Sequence, residues 1–355
     1  MDKVCTFHKG YGISKENLSS EGVPCVLYGE LYTTYKTAIA KHIRSKTKLD
    51  PTTLFHSERN DVIIPCSGET AEDIATSVCI PYDDVLLGGD LTVIRSELDG
   101  AFLSNQINSV RKYDIARVAQ GKFIVHLQAD ELKKITIAYP SKEEQQKIAC
   151  FIDKLDDRIE CQNKIISKYE TLIKGLCDLL FSNTTTVILP LKSIVTINKG
   201  QQINGLALAK TGEYYYLNGG ISPSGYVQEY NTSENTISIS EGGNSCGFVA
   251  YNTQKFWSGG HCYTLKIINT KCRSKFLYFY LKHREKDIMQ LRVGSGLPNI
   301  QKRSLENFAV ALPSVEKQCY IEHILECITA KKEIETDLLG QFQSQKKLLL
   351  SKMFI

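Results

Sequence analysis

The sequence predicts an α+β protein built by internal duplication. Two β-rich domains stand in a pseudo-two-fold repeat, each followed by a long helix, and the two helices pair as an antiparallel coiled coil. Three observations predict this. The stretch ITIAYPSKEEQQKIACFID, Ile135 to Asp153, aligns without a gap with FAVALPSVEKQCYIEHILE, Phe308 to Glu326. A heptad pattern of apolar residues follows each copy. Short apolar runs between Gly, Asn, Ser and Pro clusters precede each copy, the pattern of many short strands joined by turns.

The first domain is read as residues 1–139, with strands in DVIIPC, LTVIRS, KFIVHL and KKITIAY. Its opening, VCTFHKG (Val4–Gly10), resembles IVTINKG (Ile194–Gly200) in the second half. LLGGDLTVIRS (Leu86–Ser96) resembles WSGGHCYTLKI (Trp257–Ile267), with paired glycines aligned. Ser67 is matched to Ser240, Gly121 to Gly294 and Phe181 to Phe354. LPLKS (Leu189–Ser193) leads into the second copy, and the first copy begins too close to Met1 to show a counterpart.

Residues 140–183 read as a helix. Pro140 ends the preceding strand, Ser141 caps the start with Glu144 completing a capping box, and Asn183 with Thr184–Thr186 ends it. Steps of four and three from Ile148 give Ile152, Leu155, Ile159, Gln162, Ile166, Tyr169, Ile173, Leu176 and Leu180, a seam polar only at Gln162. The residues between are mostly charged, as a solvated face requires.

The second domain, residues 184–313, places strands in EYYYL, NTISIS, GFVAY and CYTLKII and a helix at Ser274–Leu291. The second helix, residues 314–355, repeats the seam as Ile321, Leu325, Ile328, Lys332, Glu335, Leu339, Phe342, Lys346, Leu349 and Met353. Lys317 stands where the capping box needs a carboxylate, so this helix is expected to be the more dependent on a partner. A helix of about 33 residues is about 50 Å long. Most of that would project beyond a small domain, so each helix needs a partner, and the other repeat offers one.

Composition narrows the function. With 42% hydrophobic and 23% charged residues the chain is expected to fold, and its net charge of +4 neither announces nor excludes a nucleic-acid partner. The 12 cysteines form no CxxC pair and read as reduced thiols of a cytoplasmic protein. No run is long and apolar enough for a membrane helix. The seven histidines show no ligand spacing, so no metal is expected. Gly-x-Ser-x-Gly, a P-loop, a dinucleotide fingerprint and the motifs of a DNA methyltransferase are missing. Asp83, Asp84, Glu131 and Lys133 are too loosely spaced to argue for a nuclease.

Loops carrying Thr, Tyr, Asn, Gln, Lys and Ser beside glycines offer donors for phosphates and base edges where backbone can approach closely. The candidates in the first domain are Lys9, Tyr32, Thr33, Thr34, Tyr35, Lys36, Ser67, Glu69 and Thr70, with Gly88–Asp90 as a further loop. In the second they are Lys199, Gln201, Gln202, Asn218, Asn244, Ser245 and His261. Any one of these loops also reads as an ordinary turn.

Taken whole, the chain resembles the specificity subunit of type I restriction–modification systems. The likeness is carried by GVPCVLYGELYTTYK with SGETAEDI in the first half and by YYLNGGISPSGYV with NTISISEGGNSCGFV in the second. PSKEEQQKIACFIDKLDDRI and GSGLPNIQKRSLENFAVALPS add to it. The resemblance implies two target-recognition domains held on an antiparallel helix pair, each reading one half of an asymmetric bipartite sequence in double-stranded DNA. It implies docking of two modification subunits, which methylate adenine, and of restriction subunits. S-adenosylmethionine, ATP and Mg are then expected only on those partners, with no catalysis and no cofactor on this chain. The competing expectation is a coiled-coil protein adaptor without DNA recognition.

Overall fold

The computed structural model describes residues 1–121, 124–182, 186–294 and 296–354. It divides into two units, one formed by Met1–Lys164 with Thr336–Ile355 and the other by Ile165–Glu335. The boundary falls inside each long helix.

In the first unit the central sheet is built from β1 (Cys5–Lys9), β2 (Asp61–Pro65), β3 (Val78–Ile80) and β4 (Leu91–Ser96), in the antiparallel order β1-β4-β2-β3. DVIIP of β2 is buried throughout, which is why its apolar run does not alternate. Helix α1 (Gly100–Asn108) packs on this sheet, and α2 (Lys142–Ser182) follows. The second unit contains β5 (Val187–Pro190), β6 (Val195–Lys199), β7 (Thr236–Ser240), β8 (Val249–Asn252), β9 (Cys262–Ile267), α3 (Ser274–His283), β10 (Ala309–Leu312) and α4 (Val315–Met353). Its sheet order, β6-β9-β7-β8, is the first sheet repeated. Each unit also carries a smaller sheet with one parallel pair: Val23–Val26 with Leu86–Leu87, and Tyr214–Leu217 with Phe256–Ser258.

The ladders correct one sequence equivalence. Ser240 pairs with Cys262 at the place where Pro65 pairs with Leu91, so Ser240 corresponds to Pro65 and not to Ser67. The equivalences Gly10 with Gly200 and Gly88 with Gly259 stand in three dimensions. A Cβ on Gly10 would lie 2.3 Å from the Gly88 carbonyl oxygen, and one on Gly200 2.3 Å from that of Gly259. These glycines admit backbone against backbone.

The strand expected in KKITIAY is not formed. Ala129–Lys134 is a short helix tied by Lys133–Asp130 and Lys134–Glu131 pairs, and Ile135–Tyr139 has no ladder partner among the described residues. Its counterpart β10 is a strand because β5 pairs with it from Val187↔Leu312 to Pro190↔Ala309. Of KFIVHL only Val125–His126 is strand, and Lys122 and Phe123 lie outside the described residues. The helix expected over Ser274–Leu291 is broken at Arg284 into α3 and Glu285–Gln290. Helix α2 runs to Ser182, and the expected stop at Asn183 to Thr185 lies outside the described residues.

Both long helices start on one device. Gln145 Oε1 accepts from the Asp99 amide (2.9 Å) while its Nε2 donates to the Pro140 carbonyl (2.9 Å). Gln318 Oε1 accepts from the Arg273 amide (2.9 Å) while its Nε2 donates to the Pro313 (2.9 Å) and Lys271 (2.8 Å) carbonyls. The Ser141 and Ser314 hydroxyls accept weakly from the amides of Glu144 and Lys317, each at 3.4 Å. Glu144 completes no capping box: its carboxylate pairs with Lys147 (3.6 Å), and it is Glu143 that interacts with the Ser141 side chain. The supposed inequality of the two starts therefore disappears.

Every seam position from Ile148 to Leu180 and from Ile321 to Met353 is buried or half-buried. In the first unit Asp156 meets Lys346, and Arg158 lies over the Phe342 ring at 4.8 Å, so the two helix segments run antiparallel. Leu339 and Leu349 lie on the same half-buried face, and Phe354 packs on Phe102 at 5.1 Å. In the second unit Glu170 pairs with Lys332 (2.9 Å), and Ile173, Leu176, Leu180, Ile321 and Leu325 join one core. Ile166, Tyr169 and Ile328 are half-buried there, and Phe181 packs on Phe276 and Tyr280.

Candidate nucleic-acid interface

Each central sheet ends in a loop cluster built on the same hydrogen bonds. In the first unit the Gly10 amide donates to Leu91 O (3.0 Å), the Cys66 amide to Asp90 O (2.7 Å) and the Leu127 amide to Cys66 O (2.9 Å). In the second the Gly200 amide donates to Cys262 O (3.0 Å), the Glu241 amide to His261 O (2.9 Å) and the Ile300 amide to Glu241 O (2.8 Å). This frame makes Lys9 equivalent to Lys199, Cys66 to Glu241, Asp90 to His261 and Thr92 to Tyr263.

In the first unit the Tyr32 hydroxyl donates to Ser67 O (2.7 Å), locking Gly29–Lys36 onto Ser67–Asp73. Burial, aided by Asp73, pushes the Tyr32 phenol well up, so it stays a neutral donor. Lys9, Thr33, Lys36, Glu69 and Thr70 are exposed, and Thr34 and Ser67 are half-buried. Lys36 Nζ donates to Tyr32 O (2.7 Å), and Thr70 caps Ala71–Ile74 through the Asp73 amide (3.1 Å), so both also shape the loop. Tyr35 does not belong to the surface. It is buried in a core with Leu31, Ile63 and Val93, and burial pushes its phenol up to about 12.

In the second unit the Asn218 amide oxygen accepts from the His261 amide (3.1 Å), and that of Gln202 from the Gly260 amide (3.3 Å). Gln201 O accepts from the Trp257 indole (2.8 Å). These side chains hold the Gly259–Gly260 turn, leaving Lys199, Gln201, Asn244 and His261 exposed around it with Ser245 half-buried. Sequence reading counts EGGNS, Glu241–Ser245, among the candidate loops but singles out Asn244 and Ser245, not the residue at the centre, Glu241. It is buried, with Oε1 at 2.6 Å from Lys199 Nζ and 2.9 Å from the Tyr263 hydroxyl, and Oε2 at 3.6 Å from His261 Nδ1. The signal that finds it is the corrected register, which sets Glu241 opposite Cys66.

Among the described residues no group of three or more His, Cys, Asp or Glu is placed to hold a metal. The 12 cysteines are free, and Cys262 and Cys79 are each pushed to about 12 by burial, which keeps them unreactive thiols. No helix among the described residues is long and apolar enough to cross a membrane.

A family model described as the type I restriction modification DNA specificity domain matches residues 2–171 and again 184–342. The chain belongs to this family. The duplicated sheet and loop cluster are thus two copies of a DNA specificity domain. A putative type I specificity subunit of Mycoplasma pneumoniae is 33% identical over 166 residues, covering 46% of this chain and 44% of that protein. One from Mycoplasma genitalium is 32% identical over 123 residues, covering 34% and 32%. The chain spans less than half the length of these curated relatives. The fold is similar to the crystal structure of a type I restriction–modification S subunit from M. genitalium, with a TM-score of 0.74 at 21% identity over 100% of this chain and 94% of that one. It is also similar to a chain from a structure of type I restriction–modification complex assembly, with a TM-score of 0.58 at 14% identity over 99% and 95%.

Proposed function

We propose that this chain is the non-catalytic, sequence-reading subunit of a type I restriction–modification complex in the cytoplasm. Each specificity domain reads one half of a bipartite target in double-stranded DNA through the loop cluster at the end of its central sheet. The observation that carries this reading is the common backbone frame filled with different side chains: Lys9, Cys66 and Asp90 in one domain, Lys199, Glu241 and His261 in the other. Equal frames approach DNA alike, and unequal side chains read unequal sequences, so the target is asymmetric. The long helices then serve as spacer and as docking sites for two modification subunits. Restriction subunits join through that complex. S-adenosylmethionine, ATP and Mg belong to the partners.

Co-expression with a cognate modification subunit, followed by mapping of methylated adenine, tests the proposal. One new methylated bipartite motif is expected; a stable complex without one refutes it. Replacing residues 184–313 by the segment of another family member is expected to change one half of the motif only. Removing one heptad from α2 is expected to alter the spacing or the assembly while both half-sites keep their bases.

A further inference from the structure

The two loop clusters carry different charged side chains on the same backbone frame. In the second domain a single buried carboxylate holds two exposed cations. Glu241 is 8% exposed, while the side chains of Lys199 and His261 are 52% and 62% exposed. Oxygen Oε1 is occupied by Lys199 and Tyr263. Oxygen Oε2 is buried without a hydrogen-bond partner, and the His261 ring stands 3.6 Å from it. Glu241, from the turn after β7, is the charged group set against the ring, and it also holds Lys199 from the end of β6 and Tyr263 from β9, with Arg292 acting on the neighbouring Cys246. A Cβ on Gly242 would lie 3.8 Å from His261 Nδ1, so that backbone passes beside the ring.

We infer that Lys199 and His261, anchored together on Glu241, form a phosphate-binding site of the second domain whose grip on the DNA backbone depends on protonation of His261. The inference rests on the proposed DNA-reading role and adds a ligand group and a regulator to it. Counted as charges, the cluster is +1 with an imidazolium and zero with a neutral imidazole. Only the protonated ring can bridge Glu241 and an incoming phosphodiester oxygen, since the neutral ring has a single N–H. The paired glycines Gly259 and Gly260 leave the turn without side chains beside the cations. In the first domain Asp90 occupies the position of His261 and Cys66 that of Glu241, so a carboxylate and a thiol stand where the second domain has an imidazole and a carboxylate, while the exposed His126, paired with Ser67, sets a separate imidazole beside that cluster. Glu241 is a positioning residue; Lys199 and His261 touch the ligand.

The test measures binding of the full chain to the mapped target duplex and to a scrambled duplex between pH 5.5 and 8 at fixed ionic strength, the interval in which imidazoles titrate. Affinity for both duplexes is expected to fall roughly three- to tenfold with rising pH, the scale of one phosphate contact. His261→Gln lowers this dependence, and a His126→Gln variant of the first cluster measures the part that His261 does not supply. Lys199→Gln weakens binding at every pH and lowers the salt slope by about one. Glu241→Gln leaves both cations without their anion, so affinity for either duplex rises while preference for the target falls; a merely structural carboxylate would lower both. A His261→Gln profile matching the wild type overturns the inference while leaving the DNA-reading proposal intact if the target is still preferred. Equal binding of target and scrambled duplexes by the wild type refutes the proposal, and the His261→Gln profile on either duplex still decides the phosphate site. Failure to bind any duplex at any pH overturns both.

Discussion

Replacing Gln318 by Ala is the perturbation whose cost the structure defines best. The side chain is 0% exposed and makes three hydrogen bonds to backbone. Truncation leaves the Arg273 amide and the Lys271 and Pro313 carbonyls without partners at the junction of β10, α3 and α4. A buried unsatisfied group costs about 1–3 kcal/mol, and the two partly buried ones recover some solvation. The sum is about 3–5 kcal/mol. Gln145→Ala removes two such bonds, both partly buried, and is expected to cost about 2–3 kcal/mol. The chain has a single tryptophan, Trp257, in the second unit, so its fluorescence reports that unit in a denaturant titration. Gln318→Ala should move the fluorescence-detected transition, while Gln145→Ala acts mainly on the transition detected by circular dichroism. Gln318→Glu should fare no better than Ala, because a carboxylate cannot donate to two carbonyls. A Gln318→Ala shift below about 1 kcal/mol, or a stable Gln318→Glu, would refute the reasoning.

Gly200→Ala would set a Cβ 2.3 Å from the carbonyl oxygens of both Ser258 and Gly259 and is expected to destabilise by about 3 kcal/mol in denaturant unfolding. Gly175→Ala, on the exposed face of α2 with nothing within 4 Å, should instead stabilise by about 0.5–1 kcal/mol. Lys346→Met strands the buried Asp156 carboxylate and is expected to cost about 3–5 kcal/mol, largely restored by adding Asp156→Leu. Burial raises the Asp156 carboxyl above the ordinary aspartate value against the pull of Lys346, so between those two values the folded chain binds the more proton. Its contribution to stability therefore falls as pH rises through that interval, and Lys346→Met should steepen the fall when unfolding is compared at pH 4 and 7. Asp99→Arg should lose an N-cap worth about 1–2 kcal/mol, and Ala149→Glu in the same chain should restore part of it, read as a double-mutant cycle.

The sequence made legible the duplication, the two long helices and the central strands Asp61–Pro65, Leu91–Ser96, Thr236–Ser240, Val249–Asn252 and Cys262–Ile267, but not Cys5–Lys9, Val78–Ile80 and Val195–Lys199 of the same sheets. It failed where structure depends on a partner. ITIAY alternates as well as AVAL does, yet only the latter meets a strand, Val187–Pro190. The capping box at Ser141 looked complete, but Gln145, one residue further on, reaches both Asp99 and Pro140, contacts that no local pattern announces. Tyr35 sits in a loop rich in polar residues and still points into the core beside Leu31. The loop clusters were legible as loops. Glu241 lay inside one of them, but its central place was not legible, since matching serines by sequence displaced the register that makes Glu241 equivalent to Cys66.

The corrected register shows which features the duplication preserves and which it lets move. Backbone hydrogen bonds at the sheet ends and the glutamine at each helix start recur, while charges are relocated. In the first unit the N-terminus of α1 is capped by Asp99, whose carboxylate accepts from the Phe102 amide at 2.8 Å. In the second the equivalent position is Arg273, which cannot accept. There Glu322, one turn along α4 from Gln318, accepts from the Phe276 amide at 2.8 Å and pairs with Arg273 at 2.5 Å. The position matching Glu322 in α2 is the buried Ala149. A negative charge is present at both helix starts, as the exposed amides and helix dipole favour, but it has moved from the domain to the long helix. The same exchange of Asp90 for His261 and of Cys66 for Glu241 occurs at the loop clusters. A backbone that satisfies its own hydrogen bonds tolerates such exchanges without refolding, and that tolerance lets one frame present two different surfaces.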